Sequence, residues 1–140
     1  MPRNTTFWAG SLLLASCGAM EPRVDVRPAT LNHYGEVAEV SVPASASEAR
    51  SFSVSVATLG GGCTREIERT DVSIINDLVE IRPYNRTTVE GGVCTADIRY
   101  LTHTADLELD PGQFLLRFVG KAEPGGTEVT IERTIIINPL

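Results

Sequence analysis

At 140 residues, the chain suits one domain with a single hydrophobic core and is too short for a comfortable second one. Its 42% hydrophobic and 21% charged residues are ordinary for a folded protein, which argues against the disordered and collagen-like classes. The formal charge is −6, and the arginines are scattered among carboxylates rather than grouped on the basic face that a nucleic-acid partner requires.

The chain begins with the pattern of an export signal. Arg3 precedes a short apolar stretch over residues 7–14, and two small residues lead to Cys17. The stretch has about half of the roughly 20 apolar residues that a permanent transmembrane helix needs, so a cleaved signal is favoured. The four residues ending at this cysteine, Leu14-Ala15-Ser16-Cys17, resemble the lipobox of bacterial lipoproteins.

The lipobox resemblance implies a signal peptide over residues 1–16, diacylglycerol on Cys17, a tether over residues 17–22 and a domain over residues 23–140. Two or three acyl chains would hold the protein to a membrane, because each buried methylene contributes about 0.8 kcal/mol. We therefore expect an extracytoplasmic, lipid-anchored protein. In the lipoprotein family, Gly18 in place of an aspartate implies the outer membrane, if the cell has two. The alternative is an ordinary secretory signal with a coincidental cysteine, or a short buried segment.

The other two cysteines, Cys63 and Cys94, form an even pair once Cys17 is assigned to lipid. In an oxidising compartment we expect them to be disulfide bonded, and closing about 30 residues would stabilise the fold by roughly 3 to 4 kcal/mol. Two free thiols or a metal pair are the alternatives. A zinc site needs about four ligands, and His33 and His103 supply no HxxxH spacing, so we predict neither metal nor cofactor.

Several segments in the first half of the domain predict strands, and two of them alternate apolar and polar residues with a period of two. Residues 24–27 predict an edge strand ended by a proline, and residues 37–42 predict another strand. Residues 43–47 lack apolar periodicity and predict a loop. Residues 52–56 alternate Phe or Val with Ser, which predicts a half-buried strand ended by three glycines.

The strands after Cys63 have two predicted irregularities. The apolar side changes parity near Thr70-Asp71, which predicts a bulge or turn. Asn76-Asp77 predicts a two-residue hairpin turn into a strand over residues 78–84, and Pro83 favours an edge position for that strand.

The apolar pattern in the last third of the sequence predicts three more strands. Cys94 to Tyr100 and Ala105 to Leu109 differ in apolar parity, which predicts a kink near residues 102–104. Turns at residues 110–112 and 124–126 then separate alternating segments over residues 114–118 and 129–137.

Seven to nine short strands without helices between them predict an all-β protein, with antiparallel sheets closed as a sandwich or a barrel, and we favour the sandwich. Residues 107–114 resemble the strand–turn–strand segment of immunoglobulin-like and fibronectin-like domains, which implies an immunoglobulin-like β-sandwich. Four elements resemble small domains of uncharacterised bacterial lipoproteins: Gly61-Gly62-Cys63-Thr64, Asn76-Asp77, Cys94-Thr95 and Leu109 to Phe114. That resemblance implies no activity.

One candidate site lies on the predicted edge strand, where Arg82, Tyr84 and Arg86 share a face. This combination can stack on a sugar or pair with an anionic partner, and an exposed edge can accept a partner strand. The alternative is an edge guarded against aggregation by its charges and by Pro83.

Catalysis would need a nucleophile beside an oriented base, and only His33 and His103 could be that base. Neither lies near a GxSxG elbow, so we expect two surface histidines and no enzyme. Asp106, Glu108 and Asp110 share one strand face at spacings of roughly 7 Å, which favours a solvated acidic face over a calcium loop.

The sequence thus predicts a non-enzymatic envelope lipoprotein whose sandwich is a binding or structural module. Its expected partners are the membrane, through the lipid on Cys17, and another envelope protein. An inhibitor or accessory subunit that presents the pole near Cys63 and Cys94 is the alternative. A hydrolase is a third interpretation, which would require a pocket around His103 or His33 with a nucleophile at about 3 Å.

Overall fold

A computed structural model describes residues 23–89, 94–95 and 97–140, so Cys17 and the predicted signal peptide lie outside the described residues. The described part is all-β, as the sequence predicts, and contains no helix. Consequently, none of its segments is a helix long and apolar enough to cross a membrane.

Five short strands come first in the described chain: β1 (Arg23–Pro28), β2 (Thr30–His33), β3 (Glu36–Val37), β4 (Glu39–Ser41) and β5 (Ser45–Ser47). Six long strands follow: β6 (Phe52–Gly61), β7 (Thr64–Ile75), β8 (Leu78–Val89), β9 (Ile98–Leu107), β10 (Gly112–Glu123) and β11 (Glu128–Asn138). The loop predicted over residues 43–47 therefore contains a strand. β5 lacks apolar periodicity of its own, and its parallel pairing with β11 makes it a strand.

The strands form one curled, mixed sheet, which differs from the purely antiparallel sheets that the sequence predicts. β6 pairs antiparallel with β9 along its whole length, and β7 pairs antiparallel with β8. β10 runs parallel to β8 and to β2. Hairpins make consecutive strands antiparallel, but β10 reaches β8 only after β9 has crossed to β6, so this pair is free to be parallel.

β8 is an internal strand, so the predicted edge position is wrong. The carbonyl of Pro83 accepts the Ala29 N–H at 2.9 Å. Because N–H and C=O of one strand residue point to the same side, the missing N–H of Pro83 faces that side too. There the pairing with β10 has ended at Ile81, and the pairing with β1 begins at Tyr84. The proline thus lies at a junction between two partner strands, where no donor is needed.

β7 is irregular, but not where the sequence predicts. The ladder with β8 shifts between Thr64 and Glu66 and again between Ile67 and Arg69, and it is regular from Arg69 to Ile75. The predicted bulge near Thr70 is therefore displaced toward the start of the strand. The two register shifts before Thr70 determine which side chains of the following residues face inward.

The predicted kink near residues 102–104 is absent, because β9 runs without interruption from Ile98 to Leu107. His103 and Ala105 are both buried, and they pair with the buried Val56 and Val54 of β6. Tyr100 and Ile98 are exposed. The apparent parity change arises because apolar side chains at the start of β9 do not face the core.

The hydrophobic core fills the inside of the curled sheet. The alternation predicted around residues 52–56 and 114–118 is confirmed, since the inward side chains of both segments are buried or nearly so. The largest apolar side chains that are almost fully enclosed come from β2, β6, β8, β10 and β11: Leu31, Val54, Val56, Val79, Ile81, Leu116, Phe118 and Ile135.

Candidate functional site

Cys63 and Cys94 lie at disulfide-bonding distance, with their Cα atoms 5.1 Å apart, where the sequence predicts the bond. They join the turn between β6 and β7 to the segment before β9, and we call this end of the molecule the disulfide pole. Gly62 takes a positive φ of 59° in that turn. A Cβ there would lie 2.9 Å from the Cβ of Cys94, so only glycine fits so close to the bond.

A wide cleft of about 510 Å³ opens at this pole, and we call it the disulfide-pole cleft. Its volume lies within the range of roughly 300–1,000 Å³ that small-molecule sites occupy. Besides the two cysteines, its walls include aromatic, hydroxyl and carboxylate groups: His33, Tyr34, Thr64, Thr87, Thr95, Asp97 and Glu123.

Tyr34 stands at the rim of this cleft in an unusual conformation. It has a φ of 50°, followed by Gly35 at 95°, which together form the tight turn between β2 and β3. Asn32 supports the turn by accepting the Gly35 N–H at 2.9 Å. A non-glycine residue at positive φ costs on the order of 1 kcal/mol, and Asn or Gly would be usual there. A tyrosine that is 71% exposed at such a position offers its ring to solvent beside the cleft.

The polar walls of the cleft favour a neutral or cationic ligand over an anion. The Thr95 hydroxyl and then Arg99 hold the pKa of Asp97 down at about 2, so its carboxylate is ionised at neutral pH. Glu123 pairs with Lys121 at 3.0 Å. Across the cleft, the hydroxyls of Thr64 and Thr87 share a hydrogen bond of 2.7 Å.

His103, predicted to be at the surface, is instead buried, with 2% of its area exposed. Its Nδ1 lies 2.7 Å from the Thr70 hydroxyl, and its Nε2 lies 2.7 Å from Oδ1 of Asn85. Asn85 then donates to the Thr58 hydroxyl at 3.0 Å, and Thr58 donates to the Leu101 carbonyl at 2.9 Å. We call these linked groups the His103 chain.

The carbonyl at the end of the His103 chain fixes the direction of every hydrogen bond in it. A carbonyl oxygen can only accept, so Thr58 must donate to it and must accept from Asn85. Asn85 then accepts through Oδ1 from the Nε2–H of His103, which leaves Nδ1 to accept from Thr70. The chain therefore holds a neutral imidazole, and burial lowers the pKa of His103 to about 4.

Thr70, His103 and Asn85 have the connectivity of a nucleophile, a base and an orienting amide. The geometry satisfies the 3 Å requirement of the hydrolase interpretation. Neither Thr70 nor His103, however, lines the disulfide-pole cleft or the smaller clefts near Arg82 and Asn85. A base with a pKa near 4 is also a weak one at neutral pH.

His33 is half-buried and lies in the wall of the disulfide-pole cleft, with its ring edge-on to Tyr34 at 4.8 Å. His33 thus lies at the surface, as the sequence predicts, with part of its side chain covered.

Arg82, Tyr84 and Arg86 do share the outer face of β8, opposite the buried Ile81, Pro83 and Asn85. Arg82 pairs with Glu80 at 2.5 Å and Glu128 at 3.5 Å. Arg86 pairs with Glu68 at 2.6 Å and Glu66 at 3.4 Å. Since each guanidinium already has two carboxylate partners, the face is poorly suited to an anionic ligand.

Tyr84 is covered on one side by the guanidinium of Arg69, whose Cζ lies 4.2 Å from the ring centroid. A shallow cleft of about 120 Å³ beside Tyr84 and Arg82 is too small for a sugar ring to enter with its neighbours. The patch thus consists of side chains that mainly bind one another.

The acidic side chains Asp106, Glu108 and Asp110 are all exposed, and Asp106 accepts a hydrogen bond of 2.5 Å from Ser53. In residues 23–89, 94–95 and 97–140, no group of three or more His, Cys, Asp or Glu side chains is arranged to hold a metal ion.

Sequence reasoning missed the polar groups inside the sheet, although one signal was present. Asn85 has the same parity as the apolar Ile81, so alternation places it inward, and Thr58 likewise continues the inward series of Val54 and Val56. A polar residue at a core position predicts a buried partner. The cleft residues Asp97 and Glu123 carried no such signal.

Comparisons with known proteins give no relative: no family model, curated protein or solved structure matches the chain.

Proposed function

We propose that the protein is an extracytoplasmic lipoprotein, anchored through Cys17, whose β-domain is a non-enzymatic binding module with its ligand site in the disulfide-pole cleft. The observation that carries the proposal is the cleft itself. It places an exposed aromatic ring, an ionised carboxylate and several hydroxyls around one opening of about 510 Å³. Polar groups that converge on a concave surface of this volume are a usual mark of a ligand site.

The lipid anchor is supported by the cysteine arithmetic. Cys63 and Cys94 lie at bonding distance of each other, as expected in an oxidising compartment. Cys17 is then the odd cysteine, at the end of a lipobox-like segment that follows an apolar stretch. The outer membrane is the proposed location if the cell has two.

We propose that the curled sheet is a divergent immunoglobulin-like sandwich. Its support is that inward side chains of β6 and β9 pack against those of β8, β10 and β11 in one core. The turn at residues 110–112 joins the two halves, as in the segment that resembles such domains.

The alternative function is an inhibitor or accessory subunit of another exported protein. An inhibitor of that kind inserts a projecting loop into its target, whereas a concave pole receives a group. The cleft therefore favours a binding module, and the buried position of the His103 chain favours it over a hydrolase.

Site-specific photocrosslinking tests the cleft. A benzophenone amino acid at Tyr34 of the full chain, irradiated in intact cells, should give a defined adduct, because the ring overhangs the site. The matched control carries the same group at Ile136, an exposed residue of β11. A small mass increase supports a small ligand and a protein-sized adduct supports the accessory-subunit alternative. Indistinguishable products from positions 34 and 136 would contradict the proposed site.

Metabolic labelling with palmitate tests the anchor separately. Cys17→Ser should abolish incorporation and release the protein from the membrane fraction, because the thiol is the proposed acceptor. Cys63→Ser is the matched control and should keep the label. Unchanged labelling of Cys17→Ser would disprove the anchor while leaving the cleft proposal intact.

A further inference from the structure

The outer edge of β7 carries no ladder partner among the described strands, since β7 pairs only with β8 there. The start and the end of β7 differ in whether their residues deter pairing of that free edge with another strand. The first half contains the two register shifts and the charged residues Glu66, Glu68 and Arg69. Bulges and charges of this kind deter edge-to-edge pairing.

The last four residues of β7, residues 72–75, have none of these guards, although the charged Asp71 directly precedes them. Their ladder with β8 is regular, their sequence Val72-Ser73-Ile74-Ile75 is uncharged, and all four residues are exposed. The apolar side chains are 41%, 50% and 65% exposed at Val72, Ile74 and Ile75. A short apolar strand of high β-propensity with a free edge is a template for another strand.

Two of these side chains continue the core face of the sheet. Val72 lies directly opposite Ile81, and Ile74 lies opposite Val79, so each pair shares a face. Ile81 and Val79 are fully buried, whereas their neighbours on β7 are not. The inward face at Val72 and Ile74 therefore lacks the cover that Ile81 and Val79 have.

We propose that this edge pairs with a second copy of the chain, β7 against β7, antiparallel and with the two-fold axis at Ser73. In this register Val72 lies opposite the partner's Ile74, and Ile74 lies opposite the partner's Val72. Four apolar side chains then cover one another on the inward face. The outward face places the two Ser73 side chains together and sets each Asp71 against the partner's Ile75.

Charge and apolar packing together select this register over its neighbours. Centring the pair on Val72 would set Ile74 against the partner's Thr70 instead of another apolar side chain. Centring the pair on Asp71 would set two carboxylates opposite each other, and centring it on Arg69 would oppose two guanidiniums. Centring it on Ile74 would set Asp71 against the partner's Asp77. With the axis at Ser73, Arg69 instead approaches the partner's Asp77, so opposite charges flank the apolar pairs at both ends.

The backbone also fits this register. In a two-residue hairpin the residues flanking the turn exchange hydrogen bonds, so Ile75 and Ser73 direct their N–H and C=O groups toward β8. Val72 and Ile74 then direct theirs to the free edge. Pairing each with its opposite number in the second copy gives four new hydrogen bonds. This two-fold contact forms a closed dimer that cannot add a third chain in the same way, because each chain contributes one such edge.

A cysteine placed on the axis tests the proposal. Ser73→Cys in the full chain, expressed in its native compartment, should run mostly at twice the monomer mass without reductant, because the axis sets the two thiols side by side. Ser41→Cys, at an exposed position on β4, is the matched control and should remain monomeric. Intact-mass analysis of each variant identifies any exchange with Cys63 or Cys94.

A second pair of variants separates specific pairing from random collision. Adding Ile74→Glu to Ser73→Cys should reduce the crosslink to the level of Ser41→Cys, because it buries two unpaired carboxylates. Adding Ile136→Glu, at an equally exposed residue on β11, should leave the crosslink unchanged. A monomeric Ser73→Cys would overturn the proposal, and so would a crosslink to a different protein or one that survives Ile74→Glu.

Discussion

The inside of the curled sheet is apolar in one half and polar in the other, although the same strands run through both. β6 contributes Val54 and Val56 to the apolar half and Thr58 to the polar half, and β8 contributes Ile81 and then Asn85. The polar half lies toward the disulfide pole. Apolar packing tolerates small adjustments, whereas a directed hydrogen-bond chain fixes which strands meet and in which register. We therefore expect the apolar half to supply most of the stability and the polar half to specify the strand register.

The apolar half should supply most of the free energy of unfolding. Phe118→Ala should lower it by about 3–5 kcal/mol, because Phe118 is fully enclosed and its removal leaves a cavity. Urea unfolding followed by circular dichroism measures the change. Ile136→Ala, at an exposed residue of β11, should change the free energy by less than about 1 kcal/mol. Equal effects of the two substitutions would remove the distinction between core and surface in this half.

Loss of the disulfide should come next. Replacing both Cys63 and Cys94 with serine should lower the free energy of unfolding by roughly 3 kcal/mol, because the unfolded chain regains the freedom of a loop of about 30 residues. Reduction of the unsubstituted protein is the matched control and should give the same loss. A double variant as stable as the oxidised protein would show that the pole is held by other contacts.

The His103 chain should contribute less to stability but should behave as a unit. Asn85→Ala should destabilise by about 1–3 kcal/mol, because it leaves the buried His103 N–H without an acceptor. Thr58→Val should cost a similar amount, and the two losses should not add, since the residues share one chain. Additive losses in urea unfolding would mean that the chain is a set of independent contacts.

The smallest effect should be the loss of stability between pH 7.5 and pH 6, at the upper end of the range from about 6.5 to 4 over which His103 destabilises the fold. His103 is neutral in the fold with a pKa of about 4, whereas in the unfolded chain its pKa is near 6.5. The unfolded state therefore binds the proton first, and stability falls as pH decreases through this range. From pH 7.5 to 6 the loss should be below about 1 kcal/mol. His103→Asn should lack this slope, and a variant that keeps it would assign the titration to another group.

The alternation of apolar and polar residues predicts some of the strands correctly and fails for others. Alternation over residues 52–56 and 114–118 correctly predicts half-buried strands, because inward and outward positions differ in polarity there. It fails for β9, where Ile98 and Tyr100 are apolar but outward, and for β5, which forms only by pairing with β11. The edge position predicted for β8 fails because a proline is equally satisfied at a junction between two partner strands.

The candidate site, unlike the strands, could hardly be predicted from the sequence. The sequence indicates His33 only as a candidate base. Its position in the same cleft as Tyr34, Asp97 and Glu123 depends on four different strands or turns that meet at one pole. Arg82, Tyr84 and Arg86 were correctly placed on one face, but their partners Glu66, Glu68 and Glu128 come from neighbouring strands. No spacing in the sequence encodes those neighbours.

The all-β class can be predicted from the sequence, as can most of the long strands and the pairing of Cys63 with Cys94, because period-two alternation is a local property and cysteines can be counted. The sequence also carries the lipobox-like segment at Cys17, which stays a prediction. The sequence does not predict the parallel pairings, the disulfide-pole cleft, the burial of His103 or the free edge of β7. Each of these depends on which distant strands become neighbours, and that choice is made by the packing of the whole sheet rather than by any segment of it.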